Sequence, residues 1–171
     1  MLSDLERVAP AFLAHRSATV LPIDWELIGN HFGLTYPADY VAYRSHYTHL
    51  TIDDFMMITG PVPGQERGYI AGVEESLELV RDFAADDMTE GFQAYPEPGG
   101  VFPWGASNEG DMFFWRVNGP DPDAWTCVVS TRNGDWWEHD GGALSLVVGL
   151  IDGSVEHWGL PPQPRPDPPV A

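Results

Sequence analysis

Apolar positions recur at helical spacing toward both ends of the chain and give way to dense β-type runs in its second half. Residues 2–15 place Leu5, Val8, Phe12 and Leu13 on one side, and Ser3 with Glu6 has the spacing of a capping box, so a helix is predicted there. Pro10 predicts a kink or an early end to it, because proline removes a backbone donor. After a linker through Pro22, Asp24 is placed to cap a second helix with Trp25, Ile28 and Phe32 on one face, stopped by Gly33. Pro37 then suits the first turn of a third helix, with Tyr40, Tyr43 and Tyr47 following at helical spacing.

Residues 55–58 read as a short strand closed by Gly60-Pro61. Residues 73–83 read as an amphipathic helix, with Val73, Leu77, Val80 and Phe83 inward and Glu74, Glu75, Glu78 and Asp82 outward. Four strands are expected at 101–104, 112–117, 125–130 and 136–139, the last two joined through Asn133-Gly134, a pair that tolerates the positive φ of a hairpin turn. Phe113 and Trp115 fall on one face of their strand and Met112 and Phe114 on the other, so that strand is expected to be covered on both sides. Leu144, Val147, Val148 and Ile151 predict a buried closing helix ending at Gly153. Six prolines between 159 and 171 predict an extended, mobile tail. Strands grouped together, with helices before and after, argue for a single α+β domain with a mainly antiparallel sheet. The boundaries that follow are a helical extension over 1–20, a domain over 21–158 and a disordered proline-rich tail over 159–171.

Composition narrows the function classes. Of 171 residues, 43% are apolar and 12% aromatic, too many for a disordered chain despite the charge. The formal net charge is −18, and all eight basic residues are Arg. Such an excess repels phosphate backbones and anionic membranes, which excludes ordinary nucleic-acid binding, and it speeds encounter with basic partners. The single cysteine, Cys127, rules out an internal disulfide, and its strand position predicts a buried thiol. The first residues lack the basic region of a signal peptide, and the longest apolar run, 143–151, is too short to span a bilayer. A cytoplasmic protein is expected.

Three segments in order resemble the SUKH superfamily, which includes the fungal Smi/Knr cell-wall regulators. The first runs from Ile23-Asp24-Trp25-Glu26 to Gly33-Leu34-Thr35-Tyr36-Pro37-Ala38-Asp39-Tyr40 and is similar to that family's opening pair of helices. The second is Ile52-Asp53-Asp54-Phe55, at the first strand. The third is Phe102-Pro103-Trp104-Gly105 followed by Asn108-Glu109-Gly110-Asp111 and Met112-Phe113-Phe114-Trp115, similar to the family's central hairpin. The ordered set covers about residues 22–152. Ser45-His46-Tyr47-Thr48-His49 departs from the family, whose members often carry glycine there. The resemblance marks Trp25, Pro37, Tyr40, Phe55, Pro103, Gly105, Gly110, Phe114 and Trp115 as structural positions, with Gly105 and Gly110 expected at tight turns.

What the resemblance implies is a non-enzymatic immunity protein that binds and neutralises a cognate, basic toxin of nuclease or deaminase type. The alternative it implies is a regulatory or scaffolding module like the fungal relatives. The expected contact carboxylates are Asp53, Asp54, Glu109, Asp111, Asp121, Asp123 and Asp135, all on predicted loops or turns, where side chains stay accessible. No cofactor is expected. His46 and His49 with Asp53 and Asp54 lack the defined third and fourth ligands of a zinc site, so no metal is expected either. No nucleophile elbow or phosphate loop occurs. The oligomeric state is open.

Overall fold

The computed structural model describes residues 1–161 and 169–171. Six strands follow one another in an antiparallel meander, in the spatial order of the sequence: β1 (Thr51–Ile52), β2 (Met56–Ile58), β3 (Val101–Ser107), β4 (Met112–Arg116), β5 (Thr126–Ser130) and β6 (Trp136–His139). Helices α1 (Leu2–Val8), α2 (Trp25–Phe32) and α3 (Ala38–Arg44) precede the sheet, α4 (Glu66–Ala85) lies between β2 and β3, and α5 (Ala143–Asp152) closes the fold. The α+β architecture read from the pattern is the one observed. Among the described residues no helix is long and apolar enough to cross a membrane.

Alternation along β4 explains why the sheet is covered on both sides. Trp115 and Phe113 turn to one face, where Trp104 packs within 6.2 Å and 5.4 Å of them, and Tyr40 meets Trp115 edge-on at 4.7 Å. Phe114 turns to the other face and stacks on Trp136 at 5.7 Å, with Phe92 stacked beyond it. Phe113, Phe114 and Trp115 are fully buried. Aromatic pairs of this kind add about 0.5–1.5 kcal/mol each beyond their burial.

Helix ends follow local chemistry. The Asp24 carboxylate accepts from the Leu27 N–H at 2.9 Å, and Gly33 ends α2 at φ 69°. Pro37 stands at the N-cap of α3, one place ahead of the expected first turn, and its carbonyl accepts from Val41 N. The Ser3–Glu6 capping box does not form. Met1 caps α1, and Glu6 instead accepts from the Tyr47 hydroxyl at 2.7 Å and from Arg16 at 2.6 Å. Pro10 does end the first helix, opening a 3-10 turn over Pro10–His15.

Four other expectations are corrected. Residues 1–20 are not an appendage: Leu5, Ala9 and Phe12 are fully buried, and Phe12 meets Tyr43 and Tyr47 edge-on. Helix α4 begins at Glu66, seven residues before the expected start, because Gly68 and Gly72 obscure its first two turns in sequence. Gly105 lies inside β3 and not at a turn. The register slips between Pro103 and Gly105, and a Cβ on Gly105 would stand 2.9 Å from Met57 O. Finally, the tail expected to be extended and mobile has residues 162–168 outside the described residues, but its last three do not fit that expectation. Thr51 N donates to Ala171 O, Ala171 N to Thr51 O and Asp53 N to Pro169 O, while Val170 is buried against Ile52. The free edge of β1 is thereby covered, the usual remedy for an open strand.

A candidate protein-docking surface

The meander brings three hairpin turns to one end of the sheet: residues 53–55, 107–111 and 131–135. Asp53 and Asp54 adopt φ 52° and 54°, a left-handed backbone that aspartate tolerates better than most side chains. Gly110 and Gly134 sit at φ 99° and 88° in the other two turns. The turns are bonded to one another. Asn108 N donates to Phe55 O at 2.9 Å and Asn108 Nδ2 to Asp54 O at 2.7 Å, tying the first turn to the second. Arg132 N donates to Asp111 Oδ1 at 2.9 Å, and the Arg132 guanidinium pairs with Glu109, tying the second to the third.

Beside the first two turns lies a pocket of about 230 Å³. Its apolar wall comes from Ile52, Phe55, Met56, Val147, Leu150 and Leu160, while Asp53, Asp54 and Glu109 line it as carboxylates. His157 anchors the far side, its ring nitrogens 2.7 Å from Leu150 O and 3.0 Å from Pro161 O. Phe55 is only half-buried and lines the pocket, whereas Phe114 and Trp115 are core. The pocket depends on α5 and on Leu160, which no local pattern connects to the turns.

The seven expected contact carboxylates divide. Asp54 and Glu109 are exposed at the turns, and Asp53 and Asp135 are half-buried there. Asp111 shares their position but points inward at 1% exposure, accepting from Ser107 Oγ at 2.5 Å as well as from Arg132 N. It is a structural anchor and offers a partner nothing. Asp121 and Asp123 lie at the opposite end of the sheet. Asp121 caps the 3-10 turn Pro122–Ala124 by accepting from Asp123 N, and Asp123 accepts from Ala38 N at 2.6 Å, capping α3. Exposed carboxylates also line α4 and its end at Glu74, Glu75, Glu78, Asp82, Asp86 and Asp87, so the negative field is not confined to the turns.

Burial shifts the titration of Cys127 and Asp39 upward. Burial pushes the Cys127 thiol well above its ordinary value, which removes the thiolate a nucleophile needs. Burial also raises the Asp39 carboxyl, against the hydrogen bonds from Tyr40 N and Leu144 N that favour its ionised form. Glu66 is shifted the other way: backbone N–H groups of Glu66 itself, Asp24 and Gly64 hold it below the usual carboxylate range. Among the described residues no three His, Cys, Asp or Glu side chains come together as a metal site would require.

The fold and this surface define a single-domain α+β protein with a six-stranded meander and an acid-rimmed apolar pocket. Comparison of the chain with protein-family models, with curated proteins and with solved structures returns no significant match.

Proposed function

We propose that this chain is a cytoplasmic immunity protein that binds a cognate basic toxin, of nuclease or deaminase type, and blocks its active site. The observation that carries the reading is the pocket beside the cross-linked turns, apolar within and rimmed by Asp53, Asp54 and Glu109. A rigid apolar pocket inside a charged rim is the arrangement in which a few buried side chains supply most of a partner's binding energy. The net charge of −18 supports it by favouring encounter with a basic surface. The resemblance of residues 22–152 to the SUKH superfamily supplies the toxin as the partner. Binding of this kind uses no catalytic residue and no cofactor.

Co-expression tests it. Host cells carrying the toxin encoded next to this chain should grow when the chain is present and arrest when it is absent. The purified pair should form a stable complex. A folded chain that neither rescues growth nor binds that toxin would refute the immunity reading and return the protein to the regulatory-module class.

A further inference from the structure

The end of the sheet opposite the three turns carries a second concavity, an open groove of about 800 Å³ between α2 and the connection from β4 to β5. That size lies within the range of roughly 300–1,000 Å³ typical of ligand sites. Trp25 and Tyr95, both half-buried, give it its accessible aromatic walls, Tyr36 and Trp125 line its floor almost wholly buried, and Glu26 and Asn30 stand on its polar side.

The rings are held before any ligand arrives. Trp125 Nε1 donates to Gly119 O at 2.8 Å, the Tyr95 hydroxyl donates to Phe32 O at 2.7 Å, and Trp25 packs against Tyr36 at 5.2 Å. The polar edges of Trp125 and Tyr95 are therefore already satisfied, and little freedom of those two side chains remains to be lost on binding. No described residue lining the groove carries a positive charge. The exposed charges flanking it in α2 and in the connection are Asp24, Glu26, Asp121 and Asp123, all negative.

Aromatic faces attract cations through the ring quadrupole, and a neighbouring carboxylate adds to that attraction. Of the two basic side chains, arginine suits such walls better. Its planar guanidinium stacks on a ring while its edge donors reach a carboxylate such as Glu26 or the side-chain carbonyl of Asn30. The groove is too open for one side chain alone and has room for the segment that bears it.

We propose that this groove binds an arginine-bearing extended segment of a protein partner. The proposal rests on reading the chain as a protein-binding module and places a second contact on the face opposite the turns. Titration of the isotope-labelled full chain with acetyl-Gly-Arg-Gly-Arg-Gly-amide tests it by NMR. The indole N–H signals of Trp25 and Trp125 should shift and saturate. The peptide with citrulline in place of arginine keeps the planar shape without the charge and should bind about tenfold more weakly or worse. Asn30→Arg, at an exposed position, should abolish the shifts and leave the melting temperature unchanged.

Equal affinity for the citrulline peptide, or for the same peptide with lysine in place of arginine, would overturn the proposal, as would shifts that fail to saturate or that map to the turns and α4. The two readings fail separately. If Asn30→Arg leaves peptide binding and toxin neutralisation intact, the groove proposal is wrong and the immunity function stands. If wild-type chain binds the peptide here but neutralises no toxin, the immunity function is wrong and the groove stands.

Discussion

Replacing Asp111 by alanine separates a structural carboxylate from the exposed carboxylates beside it. The side chain accepts from Ser107 Oγ and from Arg132 N while almost wholly withdrawn from solvent. Ser107 Oγ in turn accepts from Glu109 N at 3.1 Å and Asp111 N at 3.0 Å, so one hydroxyl and one carboxylate organise the whole second turn. Hydrogen bonds to a charged group contribute roughly 1.5–3 kcal/mol each, and a buried donor left without a partner costs about 1–3 kcal/mol. Asp111→Ala removes two such bonds, and a loss of about 3 kcal/mol is expected, or roughly 6–12 °C in melting temperature for a chain of this length. Asp111→Asn keeps a carbonyl oxygen for Arg132 N, but Ser107 Oγ already accepts two bonds and cannot accept a third from the amide, so one hydrogen bond is lost and about 2 kcal/mol is expected there. Urea denaturation and thermal melting measure both. Asp54→Asn is the control: the exposed position tolerates asparagine at its positive φ, and stability should stay within about 0.5 kcal/mol. Should Asp111→Ala melt with the wild type, or slow partner association at unchanged stability, the inward assignment of this carboxylate is mistaken.

Four further substitutions test the packing and the burial of one carboxyl. Gly68→Ala and Gly72→Ala, in the first two turns of α4 where an added Cβ meets open space, should each stabilise by about 0.5–1 kcal/mol in urea denaturation. Gly105→Ala would bring a Cβ to 2.9 Å from Met57 O in the neighbouring strand and should cost roughly 1–3 kcal/mol. Asp39 is raised in the fold, so its contribution to stability is full below its unfolded value near 3.8 and is lost as pH rises through the folded value. The stability of the wild type relative to Asp39→Asn should therefore improve as pH is lowered from 7 toward 4; a difference independent of pH would contradict the burial assigned to this carboxyl.

Much of the fold was legible because its signals are local. The Asp24 cap, the Gly33 stop, the alternation through Phe113, Phe114 and Trp115, and the Asn133-Gly134 turn are each written within a few residues. The misses are places where the decisive contact is remote. Gly68 and Gly72 lower intrinsic helix preference, and tertiary packing of Ile70 and Val73 overrides it. Strand β1 has two residues, and the segment that covers its edge comes after a run of prolines. Asp123 caps a helix that begins 85 positions earlier, which no spacing rule finds. At the turns, sequence could gather the acidic residues but not tell inward from outward. One signal was available, the serine four places before Asp111, whose hydroxyl can close the turn on itself.

The same division separates two roles for charge in binding. On the proposed immunity reading, carboxylates spread over α4 and the turns would act together at a distance, within a screening length of about 8 Å at physiological salt, and so would govern encounter. On that reading, the pocket beside Phe55 would act only in contact and so would govern residence. Neutralising Glu75 and Asp82 on the exposed side of α4, as Glu75→Gln and Asp82→Asn, should slow association with a basic partner several-fold at low salt and leave dissociation unchanged. Phe55→Ala, which strips the apolar wall of the pocket, should do the reverse, speeding dissociation by about tenfold or more with association nearly constant. Stopped-flow association and surface-based dissociation measurements resolve the two rates, with melting temperature recorded for each variant. If both sets of variants changed only the association rate, the pocket would contribute no contact energy and the negative field alone would account for binding.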